Sequence, residues 1–489
     1  MEAKPKKLNI YEEASRCLLC HDAPCTKACT TGDPARSIRA VRFDNQKSAL
    51  RWVKACSDED LERAERACVH YDSPIRIRCL IGSLPDDDVA DSSLADLSIS
   101  FCGIRCENPF FLASSAVCTN YEMVANAFRM GWGGVFYKTI CLEEIHEVSP
   151  RFDATYNTAA HGIYNGFRNM EQLSENPVDV DFDILRRLKA DFPTKVIVAS
   201  IMGKTESEWV TLARMAEESG CDALELNFSC PQMKYEGMGS DVGQSPELVQ
   251  AFTACVKRAV GIPVIAKMTP NITHITEPAS AALQGGADGL SAINTIKSVT
   301  MSSEADVAGR YTVSGFSGRA VHPIALRMVL EMAQMAQQPQ LSGVGGIETW
   351  RDALEFLQLG CSNVQVCTTV MQYGYRIIDD LVLGLQRYMA EHAVSHLQQL
   401  VGGQLASFRS PSQLDRTTIV YPVLQPELCV GCGRCHISCS DGGHQAIVFD
   451  SVKRRPRLVG SKCVGCHLCR LVCPVGAIGV SKRVKKRSS

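Results

Sequence analysis

Residues 195–201 read Lys-Val-Ile-Val-Ala-Ser-Ile, and residues 223–231 read Ala-Leu-Glu-Leu-Asn-Phe-Ser-Cys-Pro. Each is a short apolar run of the kind buried on both faces of a parallel sheet. Between them, Glu206–Ser219 spaces its apolar residues at helical intervals. Strand, helix and strand make one βα unit, and the alternation continues outward in both directions. Strands are expected at Pro109–Ser114, Gly134–Thr139, Lys195–Ile201, Ala223–Ser229, Pro263–Met268, Gly289–Asn294, Leu341–Val344 and Asn363–Thr368, with further helices at Pro246–Val260 and Thr349–Leu359. Eight such strands imply an α/β fold, a (β/α)8 TIM barrel. An open doubly wound sheet shares the alternation, but no strand here is followed by Gly-x-Gly-x-x-Gly. Ahead of the first strand, Leu97–Phe101, Gly103 and Asn108-Pro109 read as a small hairpin under the barrel floor.

The chain has 489 residues, 45% hydrophobic and 21% charged, with a formal charge of −2. That balance argues against a general nucleic-acid binder. The basic run Lys482–Arg487 reads as a solvated tail. No apolar stretch suits a signal peptide or a bilayer span, so a cytoplasmic protein without a membrane partner is expected. Cysteine is the unusual component, at 24 residues. In a reducing compartment such density points to metal ligands or catalytic thiols rather than disulfides. The cysteines crowd at both ends, giving expected domains at 1–94, 95–405 and 406–489.

Near the carboxy terminus, Cys429-x2-Cys432-x2-Cys435-x3-Cys439 is followed by Cys463-x2-Cys466-x2-Cys469-x3-Cys473-Pro474. In this spacing three cysteines grip one [4Fe-4S] cubane and the fourth crosses to the other. One cluster is then expected on Cys429, Cys432, Cys435 and Cys473, the second on Cys463, Cys466, Cys469 and Cys439. Zinc knuckles would also use thiolates, but the three-residue period and the Cys-Pro ending disfavour them. Cys439 departs from the pattern in preceding Ser440 instead of proline.

In a barrel of this kind the chemistry gathers at the carboxyl ends of the strands. Those ends carry Lys138-Thr139, Asn227-Phe228-Ser229-Cys230, Lys267, Asn294-Thr295, Gly345-Gly346 and Cys367-Thr368-Thr369. Glycine amides after strand seven and a helix start after strand eight form a phosphate position, although a tight turn would use the same glycines. Lys138 and Lys267 suit the negative charge of a reduced flavin, unless each pairs structurally with a carboxylate. Cys102, Cys106, Cys118, Cys141, Cys221, Cys255 and Cys361 lack ligand spacing and read as packing, and His161, His274 and His322 as structural.

Asn227–Gln232 (Asn-Phe-Ser-Cys-Pro-Gln), Gly237–Gln244 (Gly-Met-Gly-Ser-Asp-Val-Gly-Gln), Ala266–Asn271 (Ala-Lys-Met-Thr-Pro-Asn), Ala292–Ile296 (Ala-Ile-Asn-Thr-Ile) and Asn169-Met170-Glu171 resemble the dihydropyrimidine dehydrogenases, flavoenzymes with a barrel of dihydroorotate dehydrogenase type. The resemblance runs from about residue 95 to the end and is nearest to the catalytic FMN and iron–sulfur subunit of the bacterial NAD-dependent enzyme. It implies that Lys138, Lys267, Asn294, Gly345, Gly346 and Cys367, Thr368 and Thr369 hold or border FMN. It assigns Asn169, Asn227, Asn294 and Thr295 to a pyrimidine base such as uracil or thymine, and Cys230 to protonation at C5. A thiol, mostly protonated at neutral pH, suits an acid. Nothing resembles a nicotinamide or FAD site, so a hetero-oligomer with an FAD- and NAD(P)H-binding reductase subunit, or a ferredoxin donor, is implied. A dihydroorotate dehydrogenase and a non-catalytic electron-transfer adaptor are the rival readings.

The segment Cys17-x2-Cys20-x4-Cys25-x3-Cys29 resembles the cluster-binding domain of glutamate synthase small subunits and dihydropyrimidine dehydrogenases, here mainly helical. By that family's crossover pattern Cys17, Cys20 and Cys25 join Cys68 around one further [4Fe-4S] cluster. Cys29 and Cys56 are left lacking partners for a second.

Overall fold

The computed structural model describes residues 9–85, 95–156, 164–231, 233, 237–299 and 312–486. The chain divides into two compact units, Met1–Ala406 and Ser407–Ser489. At the centre of the first lie β1 (Phe110–Leu112), β2 (Gly134–Phe136), β3 (Val196–Ile201), β4 (Ala223–Asn227), β5 (Val264–Lys267), β6 (Gly289–Ala292), β7 (Gln340–Val344) and β8 (Cys361–Val366). Each pairs in parallel with the next, and β8 returns to β1, closing the barrel. β3, β4 and β8 are buried along their whole length, polar residues such as Glu225 and Gln365 included.

All eight expected strands are present, and several end short of their apolar runs. The ladder of β2 stops at Phe136, that of β6 at Ala292 and that of β8 at Val366. The residues just past those points continue to the barrel mouth, Tyr137 and Ile293 still donating to the Val198 and Val344 carbonyls at 2.9 and 2.8 Å. Helices pack outside where expected, at Glu206–Glu218, Pro246–Ala259 and Trp350–Gln358. Their amino ends are capped by Thr205, Ser245 and Thr349, the last in a reciprocal capping box with Asp352. The floor hairpin joins Ile99–Phe101 to Ile104–Cys106.

A second, antiparallel sheet was not legible in the sequence. It runs in the order Ile296–Ser298, Ser314–Ser317, Tyr164–Asn169, Phe152–Tyr156, from the loops after β6 and β2. Each insertion forms a hairpin of its own, but the two lie far apart in the chain, so neither shows the central pairing of Gly315–Ser317 with Phe167–Asn169 that joins them into one sheet.

Residues 9–85 form short helices around a small core of Ile38, Val41, Leu61, Ile75, Ile77 and Leu80. The helix Pro34–Arg42 is capped by Asp33 and begins with proline, a favoured start. It docks against Ile378–Glu391, where Arg36 meets Asp379 at 2.9 Å and Arg39 meets buried Asp380 at 2.7 Å. The expected boundary at residue 94 lies in 86–94, outside the described residues.

The second unit is built of two-stranded ribbons, Pro422–Leu424 with Ile478–Val480 and Ile447–Asp450 with Arg455–Leu458, around helices Arg434–Asp441 and Leu468–Leu471. Among the described residues no helix is long and apolar enough to cross a membrane.

Candidate active site and cluster modules

Strand alternation decides which side chains face the barrel axis. Glu225 and Asn227, two apart on β4, share a side, and Asn227 stands opposite Lys267 of β5. Lys267 in turn pairs with Ser291 of β6. A cavity of about 1080 Å³, counting space open to solvent, lies above these residues. Lys138, Asn169, Asn227, Cys230, Lys267, Asn294, Thr295, Gly345, Gly346, Cys367, Thr368 and Thr369 all line it. Every barrel residue singled out in the sequence for binding or catalysis therefore meets at one place.

Both lysines are buried and both face a carboxylate. Lys138 Nζ donates to Glu171 Oε2 at 2.8 Å, and Arg151 reaches the other Glu171 oxygen at 3.3 Å. Lys267 Nζ lies 3.3 Å from Glu225 Oε2, while Ser291 Oγ donates to Glu225 Oε1 at 2.7 Å. The carboxylate pairing that the sequence left open as an alternative is present at both, and both ammonium groups still line the cavity.

The amides are held in a chain. Asn227 Nδ2 donates to Thr139 Oγ1 at 2.9 Å, and its Oδ1 accepts from Ser229 Oγ at 2.8 Å. Asn294 Nδ2 donates to Ser229 Oγ at 2.9 Å, and its Oδ1 accepts from the Thr295 amide at 2.7 Å. Asn169 sits at the end of a mouth-sheet strand, its Oδ1 accepting from the Glu171 amide at 2.7 Å. Such anchoring fixes side-chain direction while leaving amide capacity for a ligand.

Gly345 and Gly346 follow β7 at φ +137° and +70°. A Cβ on Gly346 would stand 2.8 Å from His322 Cβ and 2.9 Å from the Gly318 carbonyl. The turn therefore needs glycine on both conformational and steric grounds. His322, read as structural, sits 3.2 Å from the Gly345 carbonyl and 2.8 Å from Glu355. Thr368 and Thr369 begin the short helix after β8, Thr369 donating to the Ile347 carbonyl at 2.5 Å. Two strand-end cations and a glycine cradle facing threonine hydroxyls fit a flavin mononucleotide, a flat anionic ring with a phosphate tail.

Cys230 is buried, 6% exposed, and its carbonyl accepts from the Ser240 amide at 2.9 Å. Gly239, at φ +58°, lets the following loop fold tightly back: a Cβ there would stand 2.4 Å from that carbonyl. Of the lid-like stretch 233–243, residues 234–236 lie outside the described residues, as does His161. His274 is exposed. The thiols read as packing sit in or against the barrel core. Burial pushes Cys102, Cys106, Cys118 and Cys221 up to about 12 and Cys141 to about 11.

Glu171, Glu225, Ser291 and Gln365 received no role from the sequence. The readable signal was polarity inside apolar strands: Glu225 in Ala-Leu-Glu-Leu-Asn and Gln365 in Cys-Ser-Asn-Val-Gln-Val are both buried. Phe152, Phe167 and Phe316 of the mouth sheet also line the cavity and carried no comparable signal.

In the second unit two cavities separate the cysteines. Cys429, Cys432, Cys435 and Cys473 line one, and Cys439, Cys463, Cys466 and Cys469 the other. The halves repeat in detail. Gly431 and Gly465, at φ +69° and +72°, each direct a backbone N–H to the preceding cysteine sulfur at 3.4 Å. Ala446 donates to Cys439 Sγ at 3.3 Å and Ala477 to Cys473 Sγ at 3.2 Å. Replacement of proline by Ser440 thus leaves the matching N–H to sulfur bond in place. Oriented donors of this kind stabilise ligand sulfurs of an iron–sulfur cluster.

In the first unit burial raises Cys25 to about 11, with Cys17, Cys68 and Cys20 adding to it. Cys17 is raised likewise, mainly by burial, with Cys20 and Cys68 contributing.

Residues 96–389 match the protein family described as dihydroorotate dehydrogenase, and residues 423–480 match the 4Fe-4S dicluster domain. The chain is 51% identical over 394 residues to the NAD-dependent dihydropyrimidine dehydrogenase subunit PreA of Escherichia coli K12, covering 78% of this chain and 95% of that protein. It is 38% identical over 344 residues to the chloroplastic NADP-dependent dihydropyrimidine dehydrogenase of Arabidopsis thaliana, covering 66% and 80%. It is 37% identical over 311 residues to the catalytic subunit of dihydroorotate dehydrogenase B from Pyrococcus abyssi, covering 63% and 98%. A crystal structure of DHODH with ferulenol from Eimeria tenella superposes with TM-score 0.54 at 21% identity, covering 66% of this chain and 92% of that one, a likeness of fold.

Proposed function

This chain belongs to the dihydroorotate dehydrogenase family, among its dihydropyrimidine dehydrogenase members, and from that premise we propose that it reduces the 5,6 double bond of a pyrimidine base. The supporting observation is the convergence of Asn169, Asn227, Asn294, Cys230 and two buried lysines on one cavity. FMN, when bound, supplies the hydride equivalent that the base accepts at C6. Negative charge then grows on the C4 carbonyl, and the asparagine amides, held in place by Thr139 and Ser229, are donors able to stabilise it. Asparagine both donates and accepts, so the set reads the carbonyls and N–H groups of a base. Cys230 gives its proton to C5. Burial beside the folded-back Gly239 loop keeps water from competing for that step.

Lys138 and Lys267 hold the flavin ring end, and Gly345, Gly346, Thr368 and Thr369 the phosphate end. The carboxy-terminal cysteine sets would hold two [4Fe-4S] clusters, and Cys17, Cys20, Cys25 and Cys68 a third, groups whose chemistry would be one-electron transfer. The donor is a separate reductase subunit binding FAD and NAD(P)H, as the E. coli relative's designation as an NAD-dependent subunit suggests.

The test is anaerobic reduction of the loaded protein followed by addition of single substrates. Flavin reoxidation by uracil or thymine is expected. Reoxidation by orotate, with none by either base, overturns the assignment.

A further inference from the structure

Cys29 and Cys56 take no part in the thiol group of Cys17, Cys20, Cys25 and Cys68, yet their sulfurs lie 3.1 Å apart. That is roughly 1 Å beyond a disulfide bond of ~2.05 Å. Cys29 is buried and ends the helix Pro24–Ala28, while Cys56 is half-buried and open to small reagents.

The surroundings hold both thiols in position. Cys56 directly precedes Ser57, which caps the helix Asp58–Arg66 through a reciprocal bond with Asp60. Thr30 donates its hydroxyl to Asp60 at 2.8 Å, and Thr31 donates to the Ala55 carbonyl at 2.9 Å, tying the two cysteine-bearing segments together. Gly32 closes the far side: a Cβ there would stand 2.3 Å from Cys56 Sγ. Glycine at this position therefore lets the chain pass close beside the thiol, where any side chain would collide with it. Two sulfurs bound to different irons of one cubane are held well apart by the cluster between them, whereas these two are in contact at 3.1 Å. Besides burial, the leading influence on the Cys56 thiol is Cys29, with Thr31 and Asp60 also acting on it.

We propose that Cys29 and Cys56 form a two-electron thiol–disulfide site that locks the docking helix Pro34–Arg42. The oxidant is a low-molecular-weight disulfide. One protein sulfur attacks it, forming a mixed disulfide and releasing one small thiol. The second protein sulfur then displaces the other small thiol, closing the Cys29–Cys56 bond. The two protons from the cysteines end on the two released thiols.

Burial and the neighbouring Cys29 push the Cys56 thiol up to about 12. Little thiolate is present at neutral pH, so closure is slow, and the dithiol lacks the thiolate stabilisation that makes some disulfides strongly oxidising. The closed loop contains Arg36, Arg39 and Arg42, which bind Asp379, Asp380 and the Tyr373 hydroxyl on the barrel. Oxidation shortens the freedom of that segment in the unfolded chain and raises the midpoint of its thermal release by several degrees.

The full iron-loaded chain is incubated anaerobically with oxidised glutathione, acid-quenched, alkylated, digested and weighed by mass spectrometry. A peptide linking residues 29 and 56, lighter by two hydrogens and lost on treatment with dithiothreitol, is expected. Cys56→Ser and Cys29→Ser each remove the link and leave bound iron unchanged. Separate glutathione adducts without a link, or full alkylation of both thiols, overturn the proposal using the unmodified protein alone. A loss of one cluster's iron in either variant also overturns it, since the residues would then be ligands.

Discussion

Lys267 and Glu225, on neighbouring strands, place an ammonium 3.3 Å from a carboxylate that is wholly buried. The other Glu225 oxygen is taken by Ser291, and Gln365 approaches at 3.5 Å while donating to Ser342 at 2.9 Å. The barrel floor of the cavity is thus a polar network within an apolar core, and Glu225 holds the cation that faces the ligand. Glu225→Gln keeps the shape and removes the charge. Breaking a buried pair in this way costs about 3 kcal/mol of stability. It also leaves Lys267 uncompensated, so the flavin midpoint potential is expected to rise. Denaturant titration and redox titration check the two effects, and an unchanged potential would show that the flavin does not sense Lys267.

Cys230→Ala tests the proton donor. FMN and iron content are expected to stay at wild-type levels while turnover falls about 10²–10⁴-fold, the usual worth of a positioned acid. Flavin absorbance and steady-state rates with a pyrimidine read this directly.

Gly346→Ala tests the phosphate cradle. A methyl group 2.8 Å from His322 Cβ at φ +70° must displace the turn. Backbone strain of ~1–3 kcal/mol is expected to weaken FMN binding roughly tenfold or more. Fluorescence titration of the apoprotein with FMN measures it, with cluster absorbance as the internal control.

The crossover of the carboxy-terminal cysteines is testable by pairs. Cys432 and Cys473 line one cavity, whereas Cys466 lines the other. The full chain carrying C432S and C473S together is expected to lose one cluster, and that carrying C432S and C466S to lose two. Equal iron loss in both would refute the division.

Asp380 supplies a pH dependence. Burial raises its carboxyl to about 6 from 3.8, against the opposing pull of Arg39. Arg39 Nε and Asp380 Oδ2 lie 2.7 Å apart, but neither atom makes a well-aligned hydrogen bond, so the ion pair only partly offsets desolvation. Between pH 3.8 and about 6 the folded state keeps a proton that the unfolded chain releases. The contribution is therefore full below the lower value and is lost as pH rises through the upper one. Asp380→Asn removes this dependence. The stability of wild type minus variant is expected to fall by roughly 3 kcal/mol across the window. Denaturation of both proteins across that range checks it, and parallel curves would contradict it.

The sequence by itself determined the barrel, the order of its eight strands and the two four-cysteine spacings of the second unit. These follow from local rules: strands buried on both faces are predominantly apolar, and a cubane imposes a fixed spacing on its ligands. A search of barrel strand ends found most of the cavity residues, because the topology brings those ends together, while Asn169 came from the family resemblance. Tertiary structure alone decided the mouth sheet, the carboxylates beneath the two lysines and the approach of Cys29 to Cys56. Phe167 and Phe316 belong to two hairpin insertions that become one sheet only where Gly315–Ser317 pairs with Phe167–Asn169. Glu225 meets Lys267, and Cys56 meets Gly32, through contacts between segments apart in the chain. Periodicity and spacing record what a residue does within its own segment; they carry no signal for a partner supplied by another.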